Sequence, residues 1–200
     1  MIKYLLSLCI ACLAGSCFTG CRDSPARQFQ DWQASELASG VRYDSLPGDL
    51  YFGMSFEEFR IHCMALHLAG KTSEGGLKSG SWLLAALPDG LAHPAYINYF
   101  PTFEGNVITK LEAAIYYADT VAFSEARPFH QDSLLQDVLG LMDEQYGPGF
   151  LRIESPVPGR GEVYAKVTGN RRLTVWKDLD PYLVNLWFVN LAPQTAGHEL

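Results

Sequence analysis

Residues 107–117 read Val-Ile-Thr-Lys-Leu-Glu-Ala-Ala-Ile-Tyr-Tyr. Val107, Thr109, Leu111, Ala113, Ile115 and Tyr117 fall on one side of an extended chain, and Lys110, Glu112 and Tyr116 on the other. A period of two with charge confined to one side is the pattern of a half-buried antiparallel strand. A parallel strand covered on both faces would instead be apolar throughout.

Outward from this segment, the tight turn Glu104-Gly105-Asn106 leads back to a strand-like run, Ala95–Phe103. Before it stand Trp82–Leu87 and the turn Pro88-Asp89-Gly90, and residues 71–81 form a loop by composition. On the C-terminal side, strands are expected at Phe150–Glu154, Glu162–Val167, Arg171–Lys177 and Leu183–Leu191. The turns between the last three are Thr168-Gly169-Asn170 and Asp178–Pro181.

Each group of strands follows an amphipathic helix. In Gly53-Met54-Ser55-Phe56-Glu57-Glu58-Phe59, Ser55 and Glu58 have the spacing of a capping box, with Met54 and Phe59 at the staple positions. Phe56, Phe59, Cys63 and Leu66 share a helical face, and Gly70 is a left-handed stop. The second helix is expected to be capped by Asp132 and to place Leu134, Leu135, Val138, Leu141 and Met142 inward. It ends at Tyr146-Gly147-Pro148.

The expected architecture is α+β: helix, three strands, helix, four strands, in an antiparallel sheet with two amphipathic helices packed on one face. The halves repeat this order, which a duplication would explain, although one continuous sheet is simpler. The expected domain covers residues 48–191, followed by a flexible tail at 192–200.

The chain has 200 residues, is 48% hydrophobic and 18% charged, and carries a net charge of −7. This excludes a disordered acidic tail, and the acidity argues against nucleic-acid partners. Four of the five cysteines, Cys9, Cys12, Cys17 and Cys21, crowd the first 21 residues, so a spread disulfide scaffold is excluded too. Residues 1–20 have signal-peptide anatomy: Lys3, an apolar run Tyr4–Ala14, then small residues. That run is too short for a spanning helix, which needs about 20 apolar residues.

The segment Phe18-Thr19-Gly20-Cys21 resembles the lipobox of bacterial lipoproteins, departing from it by Phe at the usual Leu position. A rival box, Ala14-Gly15-Ser16-Cys17, leaves apolar Phe18 just after the cut. An ordinary secretory leader or short membrane anchor is the plain alternative. The resemblance implies diacylglycerol on Cys21, and Arg22 rather than Asp after it favours the outer membrane. Cleavage before Cys21 removes only Lys3 from the charged set, leaving 14 basic against 22 acidic residues and a net charge of −8. Acyl chains rather than a basic patch would therefore hold the protein on a membrane.

Residues 21–47 are expected to be the lipidated cysteine and a mostly flexible tether, spanning roughly 28 Å if a free coil. The alternative is a short helix across Ala26–Ser39, docked through Phe29, Trp32 and Leu37. Separately, Gly53–Glu58 opening a helix before antiparallel strands resembles the start of SmpA/OmlA-type outer-membrane-assembly lipoproteins. The resemblance covers about a dozen residues and carries over no functional residue.

Catalytic and metal patterns are sparse. Cys63 and His67 stand at i and i+4, where a third ligand would have to come from His93 or His130, but a buried core thiol is the simpler reading. Glu57 and Glu58 diverge around the helix, and Arg171 and Arg172 read as charged surface after a turn. There is neither a phosphate-binding glycine loop nor a nucleophile elbow, so no catalytic residue, metal or cofactor is assigned. Tyr96, Tyr99, Phe100, Tyr116, Tyr117, Trp176, Tyr182 and Trp187 lie in or beside strands, and could line a partner-binding patch or fill the core. The expectation is a non-enzymatic, lipid-anchored envelope module with a protein partner. A small apolar or glycan ligand is the second possibility and an unrecognised hydrolase the third.

Overall fold

Two strands pair at the centre of the molecule, β4 (Val107–Tyr117) and β8 (Val184–Asn190), with Leu111 opposite Phe188 and Ala113 opposite Leu186. The computed structural model describes residues 24–73, 83–87, 91–118 and 131–192. Residues 1–23 with Cys17 and Cys21, 74–82, 88–90, 119–130 with His130, and 193–200 lie outside them.

Outward from β4 run β3 (Ala95–Glu104), β2 (Leu83–Ala86) and the two-residue β1 (Thr72–Ser73); outward from β8 run β7 (Arg171–Lys177), β6 (Glu162–Thr168) and β5 (Leu151–Glu154). All eight form one antiparallel sheet, ordered β1-β2-β3-β4-β8-β7-β6-β5. The fold is α+β, as the patterning predicts, and the sheet is continuous. Within it, each half is a helix followed by a meander, and the two last strands form the seam.

The helices of those halves are α2 (Phe56–Leu68) and α3 (Gln131–Tyr146). Ser55 accepts from the Glu58 N–H at 3.2 Å while Glu58 accepts from the Ser55 N–H at 2.8 Å, so the capping box forms. Met54 and Phe59 are both buried in the main core. Phe56, expected inward, is exposed at the helix start and meets Phe103 edge-on. Asp132 does not cap α3. It lies in the first turn and pairs with Lys177 at 2.9 Å. Gln131 ties that end of α3 to the β7–β8 loop, donating through Nε2 to the carbonyls of Asp178, Asp180 and Leu183.

The alternation that identifies β4 is interrupted near its start. Thr102 pairs with Lys110 but Phe103 pairs with Ile108, so Thr109 is an extra residue in a bulge. The bulge reverses the alternation: Ile108, not Val107, is fully buried. Ile108 also exchanges backbone hydrogen bonds with Gly53 and Met54, fastening the entry of α2 to the sheet.

Leu111, Ala113, Ile115, Leu173, Val175, Val184, Leu186 and Phe188 form the core face, joined there by Phe59 of α2 and by Leu134 and Val138 of α3. One core thus spans both halves of the sheet.

The residues expected to be tether are not one. Pro25–Ala38 forms a third helix, α1, capped by Ser24 and packed on the opposite face of the sheet. Phe29 is buried there against Ala165 and Val167, with Trp32, Leu151 and Ile153 around it. The chain then straps along the β6–β7 turn. Glu36 accepts from the Gly169 N–H at 2.7 Å, and Asn170 accepts from Tyr43 N–H while donating to Asp44 and Asn190. Arg171, read as surface charge, is buried beneath this strap and donates to the Ser45 carbonyl at 2.8 Å. Leu46 enters the main core, so the folded unit includes residues before position 48.

Candidate functional site

Alternation divides the strand aromatics into two sets. Tyr99 and Tyr117 point into the core with Ile97 and Ile115, and Tyr117 donates to Asp137 Oδ2 at 2.7 Å. Burial and the neighbouring Asp137 carboxylate raise the Tyr117 pKa well above that of a free phenol. Tyr96, Phe100, Tyr116, Trp176 and Trp187 have the opposite parity and lie on the face that carries α1. Tyr182 is exposed in the β7–β8 loop.

Because α1 packs on β5 and β6, no described helix covers this face over β3, β4, β8 and β7. Tyr96 and Tyr116 pair across β3 and β4, ring to ring at 5.8 Å, and both remain half-buried. Beside them Trp176 and Trp187 meet edge-to-face at 4.9 Å. Lys110 Nζ stands 3.5 Å from the Trp187 ring centre and pairs with Glu112 at 2.8 Å.

The loop between β5 and β6 bends over this end of the face and brings Arg160 onto both indoles, 4.2 Å from Trp176 and 4.1 Å from Trp187. Burial lowers the Arg160 pKa while Glu112 pulls it back, and the guanidinium stays charged. A cavity of about 300 Å³ opens here, walled by Phe100, Ala114, Val157, Arg160, Asn185 and Trp187.

The residues singled out for chemistry do not meet at this face. Cys63 is half-buried against the core, where burial pushes its thiol up to about 11, while His67 is exposed one turn on. Among the described residues, no three His, Cys, Asp or Glu side chains are grouped to hold a metal ion. Glu57 pairs with Arg60 at 2.7 Å and Glu58 serves the cap, so the two carboxylates diverge. Arg160, absent from the residues picked out by pattern, is the charged group at the centre of the aromatic cluster. It stands in a Gly-Arg-Gly loop, and nothing in the sequence pairs that loop with two distant tryptophans.

Comparison of the chain with known protein families, with curated proteins and with solved structures finds no match. Among the described residues, no helix is long and apolar enough to cross a membrane.

Proposed function

We propose that this protein is a lipid-anchored, non-enzymatic module of the bacterial cell envelope that binds a protein partner through the aromatic half-face of its sheet. The observation behind this reading is the placement of Tyr96, Phe100, Tyr116 and Trp187 together on the half of the second face that α1 leaves uncovered. Half-exposed tyrosine, phenylalanine and tryptophan with an arginine among them are residue types enriched at protein-recognition surfaces. The lipobox-like Phe18-Thr19-Gly20-Cys21 supplies the anchor in this reading, with the outer membrane favoured by Arg22. Ser24 begins the cap of α1 three residues after Cys21, a reach of about 10 Å. The anchored domain would then sit close to the bilayer rather than at the end of a long tether.

Capture of a partner from detergent-solubilised envelope tests the binding face. Tyr116→Glu should abolish capture and Leu68→Glu, on the exposed side of α2, should leave it intact; the reverse pattern overturns the proposal. Palmitate labelling tests the anchor separately, and a Cys21→Ser chain that still incorporates label removes Cys21 as its site. The cavity beside Arg160 favours a second reading, in which the ligand is a small molecule.

A further inference from the structure

The cavity at the Trp176–Trp187 end of the face contains a guanidinium whose donors meet no acceptor among the described residues. Four charged residues line it, and three are engaged. Glu112 pairs with Lys110, and Lys177 pairs with Asp132. Asp178 accepts from the Asp180 N–H at 3.0 Å and from Asn185 Nδ2. Arg160 is the fourth. Its backbone N–H donates to the Val157 carbonyl, but its guanidinium forms no hydrogen bond or ion pair among the described residues. It lies over the rings of Trp176 and Trp187, with the Glu112 carboxylate acting on it through space.

A guanidinium carries its N–H donors in one plane, and contact with rings gives none of them an oxygen acceptor. A planar carboxylate can take two of those donors in parallel, one on each oxygen, and supplies the opposite charge that a neutral hydroxyl or carbonyl lacks. The rest of the wall is apolar where Phe100, Ala114, Val157 and the Trp187 ring meet, so a carboxylate here would arrive with an apolar neighbour. Holding the cation in advance against two rings also reduces the side-chain freedom lost on binding.

We propose that this cavity is a carboxylate-recognition subsite, in which Arg160 receives a carboxylate of the partner protein while Phe100, Val157 and Trp187 take up the apolar group beside it. This deepens the partner-binding reading above and rests on it. The carboxylate belongs either to the partner's C-terminus or to an acidic side chain next to an apolar one.

The test uses the full chain in detergent and follows the indole N–H resonances of its tryptophans, assigned by single Trp→Phe variants. Three probes are titrated: N-acetyl-phenylalanine, its amide, and an amide-capped Leu-Glu-Leu peptide. Saturable shifts of the Trp176 and Trp187 signals are expected with at least one carboxylate probe and not with N-acetyl-phenylalanine amide. A response to N-acetyl-phenylalanine assigns the C-terminal source, and a response to the Glu peptide assigns the side-chain source. Arg160→Gln should weaken the response at least tenfold. Val157→Glu, at an exposed position of the wall, should do the same by supplying a carboxylate from within, and keeps the test decisive if Arg160→Gln unfolds. The proposal is overturned if neither carboxylate probe shifts the two signals, if the amide binds as tightly as the acid, or if both variants bind like the parent. These outcomes leave envelope capture untouched, so failure here and failure of the partner reading are distinguishable.

Discussion

At the scale of single residues, the fold is pinned by a few side chains and backbone positions whose roles can be tested one at a time. Ser55→Ala removes the oxygen that caps α2 and should cost about 1 kcal/mol, read as a lower urea midpoint. Hydrogen bonds from the Ser55 hydroxyl, the Ser55 N–H and the Tyr51 hydroxyl hold the Glu58 carboxyl below its usual range. A depressed carboxyl stabilises the fold above its unfolded value and loses that contribution as pH falls through the folded one. The Ser55→Ala defect should therefore be full at pH 7 and shrink as the medium is acidified below the ordinary glutamate range. Gly169 is more constrained. Its φ is +55°, and a Cβ there would stand 2.3 Å from the Val41 carbonyl oxygen. Gly169→Ala should destabilise by about 2 kcal/mol or more, because a left-handed residue and a backbone clash add. The capping box was legible because it is local, four residues answering one another. Gly169 reads only as a turn, since its crowding comes from a segment more than 120 positions away.

Among the elements, α1 shows most clearly where pattern stops being informative. Ser24 as cap and Pro25 at the first helical position are a sound start signal, yet Phe29 is the one buried residue of fourteen. A helix that docks through one aromatic has almost no periodic stripe, so composition argues for tether and only the packing of Phe29 on β6 argues for helix. Phe29→Ala should lower stability by about 2–3 kcal/mol, somewhat below the cost of emptying a fully enclosed phenylalanine site. It should also expose residues 25–40 to protease before the sheet opens. A free tether would show neither effect. The long strands were readable because their alternation is strong, and the departure in β4 has a specific cause. One extra residue at Thr109 brings Ile108 inward, and a bulge depends on the partner strand, which the sequence of β4 alone does not name. Likewise Asp132 looked like a cap because Asp caps well, whereas it already lies inside the first turn, where Gln131 holds a loop.

For the whole molecule, the β4–β8 seam makes two helix-and-meander halves into one sheet with a shared core. Phe188 and Leu186 are fully buried on that seam. Phe188→Ala should cost about 3–5 kcal/mol, and melting should remain one cooperative transition, because no half keeps a complete core of its own. The same architecture creates the candidate site. Both core helices occupy one face and α1 covers only the β5–β6 side of the other, so the aromatics of β3, β4, β7 and β8 share a half that no described helix covers. The sequence showed which aromatics lie in strands, but strand order decides which of them meet. Trp176 and Trp187 become neighbours through the β7–β8 pairing, and Arg160 reaches them because the β5–β6 loop folds back over β7 and β8. A second exposed apolar row, Ile61, Met64 and Leu68 on α2, is the rival surface. Site-specific photo-cross-linking compares the two most directly, with a benzoyl-phenylalanine placed at Phe100 or at Leu68 of the full chain in intact cells. The account predicts a discrete protein adduct from position 100 and none from position 68; an adduct from position 68 alone, or from neither, would contradict it.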